Sequence, residues 1–99
     1  MNETTRAIAI DAIREAAKAV YGGAIRTPLV RVEMPAGVTN LDLYLKLEVL
    51  QPIGSFKIRG AFNVIRQLTP GQLAAGVWTV SAGNAALGVA YAARQVSAP

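Results

Sequence analysis

From Leu41 to Glu48 the chain alternates without a break, with Leu41, Leu43, Leu45 and Leu47 on one parity and Asp42, Tyr44, Lys46 and Glu48 on the other. Successive side chains of a strand point to opposite faces, so this stretch reads as a half-buried strand. A tight loop, Gln51-Pro52-Ile53-Gly54-Ser55, follows. From Phe56 the period changes to that of a helix: Ile58, Ala61, Phe62, Ile65 and Leu68 are apolar, while Arg59, Asn63 and Arg66 are polar. Ser55 is the expected N-cap, and Thr69-Pro70-Gly71 ends the helix. The same order returns further on. Val77 to Val80 reads as a short buried strand, Ser81-Ala82-Gly83-Asn84 as a loop, and Ala85 to Gln95 as a helix rich in small residues. Strand, tight loop and helix make half of a βαβ crossover, which predicts an α/β fold with a parallel component.

The flanking sequence fits around these units. Thr5 to Val20 has an amphipathic pattern, with Asp11–Arg14 and Glu15–Lys18 as pairs three residues apart that support a solvated face. Gly22 and Gly23 are expected to stop this helix in the left-handed conformation. Thr27-Pro28 leads into a short extended piece, Leu29 to Val32, and Pro35, Gly37 and Asn40 mark a turn. Gln72 to Ala75 reads as a short helical or irregular piece. With neither repeat nor linker to divide it, the chain is expected to be one unit over residues 1–99.

Composition narrows the function classes. Of 99 residues, 53% are hydrophobic and 16% charged, which excludes a disordered or acidic low-complexity chain. There is no cysteine and no histidine, so thiol chemistry, disulfides and histidine-based triads or metal sites are absent from this stretch. Glu33, Asp42 and Glu48 form no carboxylate pair in the pattern and make a poor transition-metal site. The net charge is +4, but Arg6, Arg14, Arg26, Arg31, Arg59, Arg66 and Arg94 are scattered singly, so no nucleic-acid partner is expected. No apolar run reaches the roughly 18 residues of a membrane span, and the polar start, Met1 to Thr5, lacks a signal-peptide pattern. No membrane partner is expected, and the expected location is cytoplasmic.

Two places could carry chemistry. Lys57 falls in the first turn of a helix, in an apolar context where the helix dipole and desolvation both favour a neutral amine, a nucleophile or base. An exposed lysine with its stem along the helix is the plainer alternative. Ser81 to Asn84 joins a strand to a helix N-terminus, where free backbone N–H groups favour an anion such as a carboxylate or phosphate. It is neither a P-loop nor a GxGxxG turn, and an ordinary helix start with Gly83 serving the turn remains open. Gly88, in the following helix, is expected to permit close packing on the sheet.

These segments occur together, in this order, in one family. Leu45-Lys46-Leu47-Glu48 with Gln51-Pro52-Ile53-Gly54-Ser55-Phe56-Lys57-Ile58-Arg59-Gly60-Ala61 resembles the lysine segment of fold type II pyridoxal-phosphate enzymes, nearest to the threonine and serine dehydratases and serine racemase. Ser81-Ala82-Gly83-Asn84 with Gly88-Val89-Ala90 is similar to that family's substrate and cofactor loop, and Arg26-Thr27-Pro28-Leu29 to its lead-in. The resemblance implies part of the three-layer α/β fold of the tryptophan synthase β type. It implies pyridoxal 5'-phosphate as cofactor, linked as an imine to Lys57, which also serves as base at the substrate α-carbon. Phe56 would pack on the cofactor ring, and Asn84 would bond its phenolic oxygen. Ser81, Ala82 through its backbone, Gly83 and Asn84 would line the amino-acid substrate.

The implied reaction is deamination of L-threonine or L-serine to a 2-keto acid and ammonia. An amino-acid racemase, a β-replacing synthase and a non-catalytic remnant are the alternatives. Ala85 stands where the family commonly has histidine. The family's phosphate loop and its partner to the pyridine nitrogen come from later sequence, so the chain is expected to be an N-terminal fragment, inactive alone, of a homo-oligomeric enzyme.

Overall fold

The computed structural model describes residues 7–99. Helix α1 spans Ile10–Val20, with Asp11 in its first turn and Lys18 in its last, a placement that complements the helix dipole. The expected pairs form, Arg14 to Asp11 at 3.1 Å and Lys18 to Glu15 at 2.5 Å, both on the solvent side. The expected start at Thr5 is not reached: Ala9 is extended at φ −66°, ψ 138° and offers no side-chain cap, and residues 5 and 6 lie outside the described residues.

The glycines after α1 act differently from the expected left-handed cap. Positive φ occurs at Gly37, Gly54 and Gly76, and neither Gly22 nor Gly23 adopts it. Gly23 serves close approach instead, because a Cβ there would sit 2.0 Å from Cζ of Phe62.

Phe62 belongs to helix α2, Lys57–Ile65, and with Ile58 it is the most deeply buried large side chain. Val20, Ala24, Ile65, Ala92 and Ala93 complete the core, so α1, α2 and helix α4, Asn84–Gln95, meet around one aromatic ring. The α2–α4 approach is close because Gly88 lacks a side chain: a Cβ would lie 3.1 Å from the Lys57 carbonyl oxygen and 3.4 Å from Cβ of Ala61. Gly88 therefore packs on a helix, where the sequence pattern suggested a sheet. Between them, helix α3 (Pro70–Ala74) opens on a capping box. The Gln72 N–H donates to Thr69 Oγ1 at 3.2 Å, and the Thr69 N–H donates to Gln72 Oε1 at 2.9 Å.

The sheet is smaller than the pattern predicted, and antiparallel. Strand β1 (Leu29–Arg31) pairs with β2 (Tyr44–Lys46) in the register Leu29–Lys46, Val30–Leu45, Arg31–Tyr44. The alternating stretch Leu41 to Glu48 is a strand only where β1 supplies a ladder, and its leucine face is not covered, Leu45 being 48% exposed. Val77 to Val80 belongs to no ladder. Its one backbone bond of this kind runs from Val77 N–H to the Pro99 carbonyl at 3.0 Å, and Trp78 and Val80 are 84% and 88% exposed. Among the described residues there is no parallel pairing, and no helix is long and apolar enough to cross a membrane.

Candidate active site

The chain reaches α2 through a 3₁₀ turn, Glu48–Leu50, and a loop in which Gly54 takes φ +76°, a conformation open to glycine. Phe56, not Ser55, occupies the N-cap position. Its backbone is already helical at φ −71°, ψ −12°, which pushes Ser55 one residue too far back to cap. Ser55 is buried, and its Oγ has no hydrogen-bond partner.

Lys57 is the first residue of α2 and is exposed, its Nζ 5.3 Å from the centroid of the Phe56 ring, within cation–π range. The apolar surroundings expected from sequence lie beside the lysine and do not enclose it. They form a cleft of about 490 Å³ whose walls include Ala61 and Val64 of α2, Val77 and Trp78, and Ala85 and Val89 of α4, with Lys57 at its edge. That volume falls in the usual range for small-molecule sites.

From α4 the cleft takes Ala85 and Val89, while Ser81, Ala82, Gly83 and Asn84 are not among its walls. Asn84 is the first residue of α4, and Gly83, at φ −154° and ψ −131°, occupies the N-cap position without a side-chain cap. The Gly83 N–H is not free as expected, for it donates to Ser81 Oγ at 3.2 Å. Ser81, Ala82, Gly83 and Asn84 are all exposed, and the space where a Gly83 Cβ would project is open to 4 Å. The structure thus brings Lys57 and the start of α4 to one cleft through the Gly88 contact. It forms no hydrogen bond between Lys57 and the 81–84 loop among the described residues.

Behind α2 lies a polar cluster that sequence patterns did not reveal. Arg59 Nε donates to Glu48 Oε1 at 2.7 Å, with Nη2 2.6 Å from the same oxygen, and Nη1 donates to the Tyr21 hydroxyl at 3.1 Å. The Gln51 carboxamide, itself buried, donates to Glu48 Oε2 at 2.6 Å and exchanges two 2.9 Å hydrogen bonds with the backbone of Ile25. Burial pushes the Glu48 carboxyl upward, but the hydrogen bonds from Arg59 and Gln51 and the Arg59 charge hold it below its ordinary value. The Arg59 hydrogen bond is the main reason the Tyr21 phenol is lowered, and the charges of Arg59, Arg26 and Lys46 assist. Burial pulls the Arg59 guanidinium down, yet its bonds to Glu48 and Tyr21 leave it raised. The one available sequence signal was Glu48 itself, the last residue on the polar parity of the alternation.

A lysine thus opens one helix near the uncapped start of a second, with an apolar cleft beside them. The chain belongs to the pyridoxal-phosphate dependent enzyme family, whose model matches residues 20–99. It is 42% identical to the biosynthetic L-threonine dehydratase of Mycobacterium leprae over 95 residues, 96% of this chain and 22% of that protein. It is 42% identical to the L-threonine ammonia-lyase of Thermotoga maritima over 92 residues, 93% of this chain and 23% of that one. The processed form of threonine deaminase isoform 2 from Solanum lycopersicum superposes with a TM-score of 0.77 at 34% identity, covering 98% of this chain and 28% of that chain. The fold is accordingly that of the type II pyridoxal-phosphate enzymes, in part. The chain spans about a fifth of the length of the curated relatives it matches.

The residues present fit the cofactor's chemistry. A primary amine at Lys57 suits an aldehyde, and the carboxamide of Asn84 with the uncapped amides of α4 suits oxygen atoms of negative charge. Two residues before Lys57, the buried Ser55 hydroxyl has no hydrogen-bond partner among the described residues.

Proposed function

We propose that this chain is the lysine-bearing N-terminal part of the catalytic domain of a lyase that deaminates L-threonine or L-serine to a 2-keto acid and ammonia. The observation that supports the reading is the cleft shared by Lys57 of α2 and Ala85 of α4, the neighbour of Asn84, with the two helices drawn together at Gly88. The names of the relatives support L-threonine, and L-serine rests on the motif resemblance. Pyridoxal phosphate, when bound, supplies the electron sink that makes the substrate's α-carbon acidic.

In this reading Lys57 is the attachment amine and the base that takes the α-proton. Exposure at the cleft edge leaves its Nζ free to swing between those two tasks. Phe56, 60% exposed beside it, offers its ring face to the cofactor. Ser81, the Ala82 backbone and Gly83 hold the substrate carboxylate where the N-terminal end of α4 favours negative charge. Asn84 donates to the cofactor's phenolic oxygen. The protein is a homo-oligomer of cytoplasmic location in the same reading.

Adding pyridoxal phosphate and recording visible absorbance, then assaying keto-acid release from L-threonine and L-serine in the full-length protein, tests the proposal. Asn84→Ala is expected to shift the cofactor's absorbance band and to lower turnover. An unchanged band with normal kinetics would show that Asn84 only opens a helix.

A further inference from the structure

We infer that Arg59, held by Glu48 and Tyr21, is the positioning residue that sets the rotation of α2 and so aims Lys57 into the cleft; this rests on Lys57 being the cofactor lysine. Lys57 and Arg59 are two residues apart, about 200° around a helix, so they leave α2 on opposite sides. Lys57 is exposed at the cleft, whereas Arg59 is directed at the polar cluster behind. A grip on one sets the bearing of the other.

The grip joins three separate stretches of chain. Tyr21 at the end of α1 accepts from Arg59 Nη1, and the 3₁₀ turn contributes Glu48, whose Oε1 accepts from Nε and pairs in charge with Nη2 at 2.6 Å. The backbone of Ile25 is tied to the same turn through the two Gln51 bonds. Glu48 and Arg59 side chains are 16% and 26% exposed, so their attraction is screened less than that of the fully solvated pairs on α1. On the opposite flank, the Lys57 carbonyl lies against α4 at its fifth residue, Gly88, where a Cβ would come within 3.1 Å of that oxygen. The first turn of α2 is therefore fixed from two sides. Its capping residue, Phe56, accepts the Arg59 N–H on its carbonyl at 3.0 Å but supplies no side-chain bond to the helix start. The ionic cluster replaces the missing cap as the device that orders this turn.

The test uses the full-length protein and two variants, Glu48→Gln, which is nearly isosteric, and Arg59→Lys, which keeps the charge but loses the planar fork. Two quantities are measured: amide hydrogen exchange along α2 and α4, and the rate at which pyridoxal phosphate with cyanoborohydride modifies Lys57. In both variants the amides from Arg59 to Phe62 are expected to exchange faster by about tenfold, while those from Ala90 to Ala93 stay within about twofold, the pattern of local opening. Modification of Lys57 is expected to slow by about tenfold in parallel, since a mobile helix turn presents the amine in the cleft for less of the time. Equal acceleration in both helices would overturn the proposal, because it reports lost global stability. So would local opening without slower modification, or slower modification without local opening, or a wild-type α2 that shows no protection. If the cofactor attaches to another lysine in the wild-type protein, the functional reading falls, while the exchange pattern still decides whether the clamp orders the helix start.

Discussion

At the residue scale, charge and space do different work on the two sides of α2. Glu48 is held below its ordinary value of 4.5 in the folded chain. A depressed carboxyl contributes stability that is fully present above its unfolded value and is lost as pH falls through the folded one. Thermal stability should therefore decline as pH drops below about 4.5, and the wild-type minus Glu48→Gln difference should shrink over that window; a difference that stays constant down to pH 2 would contradict this. Gly23→Ala should destabilise by about 2–3 kcal/mol, because the new methyl group meets the buried Phe62 ring and the core must shift, and denaturant unfolding measures it. Ser55→Ala should be neutral or slightly stabilising without cofactor, since it removes a buried hydroxyl that has no partner. The positions of Lys57 and Asn84 at helix starts were legible because local patterns mark where those helices begin. Gln51 was not, because its partner Ile25 is 26 positions away and no short-range pattern encodes that bond.

Among the elements, those whose stabilising contacts are local were the ones visible in the sequence. α1 and α4 follow from amphipathic spacing and small-residue composition, and both appear within a few residues of where the pattern puts them. The α3 turn is held by its own Thr69–Gln72 box, so Thr69→Ala should cost about 1 kcal/mol and fray that helix first, which helical chemical shifts would register. Strands need a neighbour. The eight-residue alternation shrinks to Tyr44–Lys46 because β1 offers three residues of ladder, and Val77 to Val80 has no ladder at all. Alternation reports which face a strand would bury, but whether another strand is present to pair with it is a long-range fact. For that reason no parallel pairing forms among the described residues. The role of Gly88 was read correctly as close packing but on the wrong surface, since one small residue suits a helix and a sheet equally well.

For the molecule as a whole, the radius of gyration is 17.1 Å, against about 13 Å for a compact chain of this length. The core is one cluster at the crossing of α1, α2 and α4, and Leu29, Leu41, Val49, Trp78 and Val80 stand in water. Apolar surface on that scale predicts that the chain expressed by itself binds a hydrophobic dye and self-associates; a monodisperse monomer without dye binding would show that these faces are tolerated as they are. The same openness explains why one helix turn must be held by ions and not by enclosure. The central claim is that this turn presents the family's cofactor lysine. Borohydride reduction of the full-length protein loaded with pyridoxal phosphate, followed by peptide mapping, tests it most directly: the account predicts the label on Lys57, and a label on Lys18 or Lys46, with Lys57 unmodified, would contradict it.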